Sequence, residues 1–386
     1  MTILFVNERC GYFGGVEQNI ADVAAGLRAR GHHCHLLAQE ETTRDVAGYR
    51  ALFDACHACN LADAAAIAAC VATIRPAVVY VHKVAHIAPL LALPKPLRIV
   101  RMIHDHDVCC PRRHKYFAYN SRICRHAAGW RCWADGAFVE RDRTAPLGVR
   151  YHSIPATLRE LRANHALDAV IVGSRFMHDE LCDNGFAAPR VHVLAPIVRW
   201  DALAATPAPD EPRIVYIGQL IRGKGVDLLL RALALVRAPW QAEIVGDGNA
   251  RAALENLCRQ LGLGERVQFR GWVDNAALGA VYTRAKVVVV PSRWPEPFGM
   301  VGLEAMRHAR PVVAFAVGGI PDWCVDGVTG ILAPEQDLAA FARGLEQVLH
   351  DTPRARQMGA AALAHVTAAF NFDAYLGALE RVFTHT

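Results

Sequence analysis

KVVVVPSRWPEPFGMVGLEAM, residues 286–306, reads as a strand, a loop and a helix in one short stretch. The valine run is a strand that ends at Pro291 and Ser292, Glu296 sits in the proline-rich loop, and Gly299 opens a helix that carries Glu304. Two carboxylates with seven residues between them therefore bracket a helix start. A helix N-terminus offers unpaired amides and a partial positive charge, so the backbone of Phe298, Gly299, Met300 and Val301 suits a diphosphate. Glu304, one turn in, is placed to accept hydrogen bonds from a ribose diol.

Outward from this stretch the same alternation continues in both directions. Upstream lie RIVYIG, a helix from Val226 to Val236, AEIVG, a helix from Ala250 to Leu261, and RVQFRG; downstream lies PVVAF. The first half repeats the pattern, with strands expected at Ile3 to Val6, His35 to Ala38, Ala77 to His82, Arg98 to His104 and Asp168 to Gly173, and helices between several of them. Strands alternating with helices predict parallel sheets covered on both faces. Periodicity is lost in DALAATPAPDEP, which reads as a linker near residues 196–211. The expected organisation is an N-terminal domain over 1–196, a second over 211–370 and a final helix over 371–386, with two doubly wound Rossmann-like domains facing across a cleft. The length of 386 residues, with 53% hydrophobic and 20% charged, fills two cores and excludes a disordered chain.

These residues resemble the retaining glycosyltransferases of family 4, the glycogen synthase-like group with the GT-B fold. The Glu296 and Glu304 pair is similar to the family's Glu-x7-Glu signature, which implies that Glu296 contacts the donor sugar beside the reacting carbon and Glu304 binds the ribose. GQLIRGKGVDLLLRA, residues 218–232, resembles the family's G-R-L-x-x-x-K-G motif. A lysine at a helix start is electrostatically misplaced unless an anion sits there too, so Lys224 marks a phosphate site. Gln219 stands where the family has an arginine, and Arg222 is the candidate to replace its charge. Gly14 and Gly15, after the first strand, match a Gly-Gly loop that lies under the donor phosphate in the family. His104 and Asp105, followed by Cys110 and Pro111, resemble its H-D motif; the resemblance places His104 over the donor sugar and Asp105 on the acceptor side. Gly246 matches a G-x-G loop, Gly271 and Trp272 a base-binding turn, and Gly318 and Gly319 a strand-end turn. The last helix, by resemblance, packs back on the first domain.

The resemblance implies an enzyme that moves a sugar from a UDP- or GDP-sugar to a hydroxyl with retention of configuration. Lys224, a helix N-terminus and Arg222 would stabilise the departing diphosphate, so no metal and no other cofactor is required. Rivals are a non-catalytic nucleotide-sugar-binding protein and another GT-B enzyme, a phosphorylase or a sugar-phosphate synthase. A dinucleotide oxidoreductase is disfavoured by the absence of G-x-G-x-x-G. From Lys95 to Arg162 there are 14 Lys and Arg against 6 Asp and Glu within a net charge of +5. That basic stretch fits an anionic or lipid-linked acceptor and peripheral association with the inner membrane surface, whereas no motif points to nucleic acid. No apolar run reaches the length of a membrane span, and Ile3 to Val6 runs straight into Asn7, Glu8 and Arg9, so a cytoplasmic protein is expected. The twelve cysteines are sparse for this length and read as thiols. The alternative for Cys110, Cys124 and Cys132 is a structural zinc site, and the Cys56 and Cys59 pair lacks a redox context.

Overall fold

The computed structural model describes residues 1–117, 120, 122–141, 148–197 and 206–384. These form two compact units, one of 1–113, 125–200 and 372–386, the other of 114–124 and 201–371. Residues 198–205 of the expected linker and the last two residues of the expected final helix lie outside the described set.

The first unit holds β1 (Thr2–Cys10), α1 (Gly15–Ala29), β2 (His33–Glu41), α2 (Val46–Ala51), β3 (Ala55–Ala58), α3 (Ala64–Ile74), β4 (Val78–Val81), α4 (Ala88–Leu91) and β5 (Arg98–Ile103). It continues with α5 (Arg131–Ala134), a ribbon of β6 (Val139–Arg141) and β7 (Val149–Tyr151), α6 (Ile154–Asn164), β8 (Ala169–Val172), α7 (Arg175–Asp183) and β9 (Val191–Val193). Seven of these strands make one parallel sheet in the order β3-β2-β1-β4-β5-β8-β9. Their centres are apolar and buried on both faces, as in Val78–Val81, because crossover helices cover each side.

The second unit holds β10 (Arg213–Ile217), α8 (Val226–Leu233), β11 (Gln241–Val245), α9 (Arg251–Gln260), β12 (Val267–Gly271), α10 (Asn275–Arg284), β13 (Val287–Val290), α11 (Met300–Arg307), β14 (Val312–Phe315), β15 (Gly330–Ala333), α12 (Leu338–His350) and α13 (Thr352–Ala369). Its sheet runs β12-β11-β10-β13-β14-β15, again parallel. In both sheets the winding reverses beside the first strand, between β1 and β4 and between β10 and β13. The carboxyl ends at such a reversal are where open α/β sheets bind ligands.

Two features depart from a simple break at the linker. Residues 114–124 belong to the second unit, where Tyr116 lies against Gly223 and the Ile123 amide donates to Glu335 at 3.3 Å. The last helix, α14 (Phe372–Thr384), belongs to the first unit. There Arg30 grips Glu380 through two hydrogen bonds of 3.0 Å, and Arg98 donates to the Val382 carbonyl at 2.9 Å. No helix among the described residues is long and apolar enough to cross a membrane.

In the second unit the position of α11 is set by Trp323, which is fully buried and donates its indole N–H to the Phe298 carbonyl at 2.6 Å. Gly302 leaves room for that ring: a Cβ there would stand 1.9 Å from Trp323 Cη2. Gly302→Ala should therefore destabilise the fold by about 1–3 kcal/mol, the scale of forced overpacking, read as a lowered urea midpoint.

Candidate functional site

In the second unit the turn after β10 and the loop after β13 meet at the sheet's reversal. Gly225 makes this possible: its φ of +69° is a left-handed conformation, and a Cβ there would lie 1.9 Å from the Pro291 carbonyl oxygen. Lys224, one residue earlier, donates from Nζ to Glu296 Oε1 at 2.7 Å and lies 5.1 Å from the Trp294 ring centroid. Ser292 also donates to that carboxylate oxygen. Burial pushes the Glu296 carboxyl up, yet the Lys224 charge and the hydrogen bonds of Lys224 and Ser292 outweigh it and hold the group below its ordinary value. The anion nearest Lys224 is thus first of all Glu296, so the misplaced lysine of the sequence has a partner within the protein. The Glu296 backbone is fixed as well, since the Gly319 amide donates to its carbonyl at 2.7 Å. Gly318 and Gly319 so form the turn against which the loop rests.

Gly299 caps α11 without a side-chain hydrogen bond. By contrast, side chains of Asp63, Ser153, Ser174, Asp337 and Asp351 cap α3, α6, α7, α12 and α13. The first amides of α11, at Met300 and Val301, are left to another acceptor. Further along α11, Glu304 accepts a hydrogen bond of 2.6 Å from the Tyr282 hydroxyl, and burial raises its carboxyl above the ordinary range despite that bond. Tyr282 is buried and stacks on His308 with ring centroids 4.9 Å apart.

The remaining second-unit residues surround this centre without joining it. Gln219 is exposed, and its carbonyl accepts from the Tyr216 hydroxyl at 2.9 Å. Arg222 is exposed, and its carbonyl accepts from Arg293 at 2.8 Å. Gly246 closes on Gly218, whose carbonyl oxygen would lie 1.9 Å from an added Cβ; Gly271 ends β12, and Trp272 is 56% exposed. The sequence did not reveal Arg293, which is 4% exposed and pairs with Asp227 of α8 at 2.6 and 3.1 Å. Nor did it reveal Tyr282 or Trp323. Their partners lie 22 to 66 positions away, beyond the reach of any local pattern.

In the first unit, Gly14 and Gly15 are exposed at the start of α1, where the Gly14 amide donates to Glu17 at 3.0 Å. After β4 and β5 come His82 and His104, joined between Nδ1 and Nε2 at 2.9 Å. Beside them Lys83 bridges Asp105 and Asp107, the latter at 2.7 Å. Asp105 is thus one of two carboxylates that share the Lys83 ammonium. Burial and the neighbouring Asp107 raise its carboxyl, whereas Lys83 and Arg101 overcome burial at Asp107 and lower it.

The structure does not group Cys110, Cys124 and Cys132 as metal ligands. No three potential ligands come together among the described residues, and Cys110 and Cys132 belong to the first unit whereas Cys124 belongs to the second. The physical reason lies in the backbone: Cys124 follows the bridge between Tyr116 and Ile123, its amide bonded to the Lys115 carbonyl at 2.7 Å, and Cys132 lies on α5. None of the twelve cysteines forms a disulfide.

Comparison with known proteins agrees along the chain. Residues 13–199 match Glycosyltransferase Family 4, and residues 199–365 match Glycosyl transferases group 1. A D-inositol 3-phosphate glycosyltransferase of Corynebacterium diphtheriae is 41% identical over 179 residues, 44% of this chain and 42% of that one. D-inositol 3-phosphate glycosyltransferase 1 of Catenulispora acidiphila is 31% identical over 280 residues, 62% of this chain and 67% of that one. The chain thus spans less than half the length of several curated relatives it matches. The crystal structure of Anabaena Alr3699/HepE with UDP and glucose covers 100% of both chains with a TM-score of 0.74 at 18% identity, a likeness of fold.

Burial, with Lys83 and Arg101 nearby, lowers His104 from 6.5 to about 3. The unfolded chain then binds a proton that the folded chain excludes, so stability present above pH 6.5 is lost as pH falls toward 3. From pH 7 to pH 5 the loss from His104 should be about 2 kcal/mol in unfolding free energy, and His104→Asn should remove that part of the slope.

Proposed function

The chain belongs to glycosyltransferase family 4, with two Rossmann-like α/β units of the GT-B fold, and from that premise we propose that it is a retaining, metal-independent hexosyltransferase. The donor in this reading is a UDP- or GDP-sugar, and the acceptor is a hydroxyl. The observation that carries the reading is the Lys224–Glu296 pair at a sheet reversal beside an uncapped helix start.

The diphosphate sits on the amides of Gly299, Met300 and Val301, with Phe298 before them, and draws on Lys224 and Arg222 for charge. Gly14 and Gly15 of the first unit give backbone amides to the same group. Glu304, oriented by Tyr282, accepts from the ribose hydroxyls, while Gly246, Gly271 and Trp272 serve the nucleoside. Glu296 holds the sugar, and His104 acts on it from the first unit, with Asp105 on the acceptor side.

In the reaction the bond from the anomeric carbon to the diphosphate oxygen breaks as the acceptor oxygen bonds to the same face of that carbon. The acceptor proton passes to the departing diphosphate oxygen, so no separate base is needed. Preorganised cations and amides favour this step because charge grows on the leaving group. The basic stretch from Lys95 to Arg162 supports an anionic or lipid-linked acceptor and a peripheral place on the inner membrane surface. Gln219, which brings no charge, favours one rival, a protein that binds nucleotide sugars without turning them over.

Calorimetric titration with UDP and GDP, with and without EDTA, tests the donor. One nucleotide should bind equally well in both, and Lys224→Ala should weaken it by about 10- to 100-fold, the loss of a charge-assisted contact. Glu296→Gln separates enzyme from binder: nucleotide affinity should stay within about threefold of wild type while turnover of the matching sugar nucleotide falls by about 100-fold or more. Unaltered UDP and GDP affinity in Lys224→Ala would sink the clamp. Tyr282→Phe, which frees the Glu304 carboxylate, should weaken nucleotide binding by about fivefold, one neutral hydrogen bond, in the same titration.

A further inference from the structure

His82 has no role in the reading above, yet it is buried and hydrogen-bonded to His104. Val81 of β4 pairs with Arg101 of β5, so the register sets His82 level with Met102, and His104 follows two residues on, one side-chain period along the strand. The His82 ring is 1% exposed, parallel to Phe5 at a centroid distance of 6.0 Å and edge-on to Tyr80 at 4.3 Å. Its Nδ1 faces Nε2 of His104 at 2.9 Å, and the rings lie within 21° of parallel. Its other nitrogen, Nε2, is buried with no hydrogen-bond partner among the described residues.

The two rings share one proton position, and two assignments are open. If His104 donated, His82 would carry its own proton on Nε2 and bury an unpaired N–H among aromatic rings. If His82 donates, only a lone pair is left there. Orphaned buried N–H groups are the rarer and costlier fault. Arg101, itself 2% exposed, adds a positive field at His82 that favours a lone pair over an N–H dipole. Both rings are neutral, because burial and the Arg101 charge lower each of them.

We propose that His82 is a positioning residue: by donating from Nδ1 it fixes His104 as the tautomer protonated on Nδ1, which His104 presents to the substrate as a hydrogen-bond donor. His104 is only half-buried, and its Nδ1 has no partner among the described residues, so that N–H is left for a substrate oxygen. The inference rests on the reading of His104 as a substrate-facing residue. An unfixed imidazole would divide between two tautomers, and the wrong one offers a lone pair where a donor is needed.

The test begins with the full wild-type chain labelled with 15N-histidine, using long-range proton–nitrogen correlation at pH 7.5, with His104→Gln to assign the signals. His104 should show a protonated Nδ1 and an unprotonated Nε2; the reverse pattern overturns the proposal whatever the activity. UDP release from UDP-glucose with water as acceptor is the second readout. His82→Phe, which keeps the aromatic packing and loses the donor, should lower kcat by about 10- to 100-fold at unchanged UDP affinity. His82→Asn, whose amide places an N–H near the Nδ1 position, should stay within about threefold of wild type. A merely structural His82 would lower the thermal midpoints of both variants together and leave the His104 pattern intact in His82→Phe, and that result also overturns the proposal. If wild type releases no UDP, UDP-glucose is excluded as the donor while the nitrogen spectrum still decides the role of His82.

Discussion

Glu296 is 4% exposed, and a carboxylate that far from water costs several kcal/mol to keep ionised without a counter-ion. Lys224 supplies the counter-ion, and Ser292 a further donor. The backbone has to bring them together: the left-handed Gly225 lets the β10 turn touch Pro291, and Arg293 ties the β13 loop to Asp227 and to the Arg222 carbonyl. The pair and the loop closure depend on each other. Loss of Lys224 would leave Glu296 a buried charge without its counter-ion in the loop that leads into α11.

The two units solve the burial of charge differently. Around Glu296 one anion meets one cation, and the side chain of Lys224 keeps 26% of its surface, enough for a second anion to reach it. After β5 in the first unit, Lys83 is shared by Asp105 and Asp107, while the adjacent imidazoles stay neutral under burial and the fields of Arg101 and Lys83. Neutral rings direct hydrogen bonds without adding charge. The contrast sets a partly open cation in one unit against uncharged hydrogen-bonding rings in the other.

Parallel strands and the motif loops were legible because their signals are local: apolar runs of strand length, glycines at strand ends and charges at helix starts. Glu296, Glu304, Lys224 and His104 all fall where such signals pointed. Contacts made by folding were not legible. Tyr282 reaches Glu304 across the interval between α10 and α11, Trp323 needs the space at Gly302, and His82 looks from sequence like any strand-end histidine. The strands β3, β6, β7, β9 and β15 lack the run of four consecutive apolar residues that makes the equally short β4, β8, β13 and β14 readable. The move of residues 114–124 into the second unit follows from packing at Tyr116 and Ile123, which no composition shift announces.

In the proposed donor site, Gln219 raises the question of how a diphosphate would be held with one cation fewer. Its backbone role survives, because the carbonyl that receives the Tyr216 hydroxyl does not depend on the side chain. What is lost is charge, and neutral donors recover part of it if they are fixed in advance and shielded from water. The start of α11 meets the first condition: its amides are set by a helix that Trp323 locks in place, and its N-cap, Gly299, has no side chain to compete for them. The cation fixed in place at the proposed site is Lys224, held by Glu296, and the exposed Arg222 adds charge from nearby. A second fixed cation would add attraction, but it would also compete for that carboxylate and loosen the pair on which the loops depend.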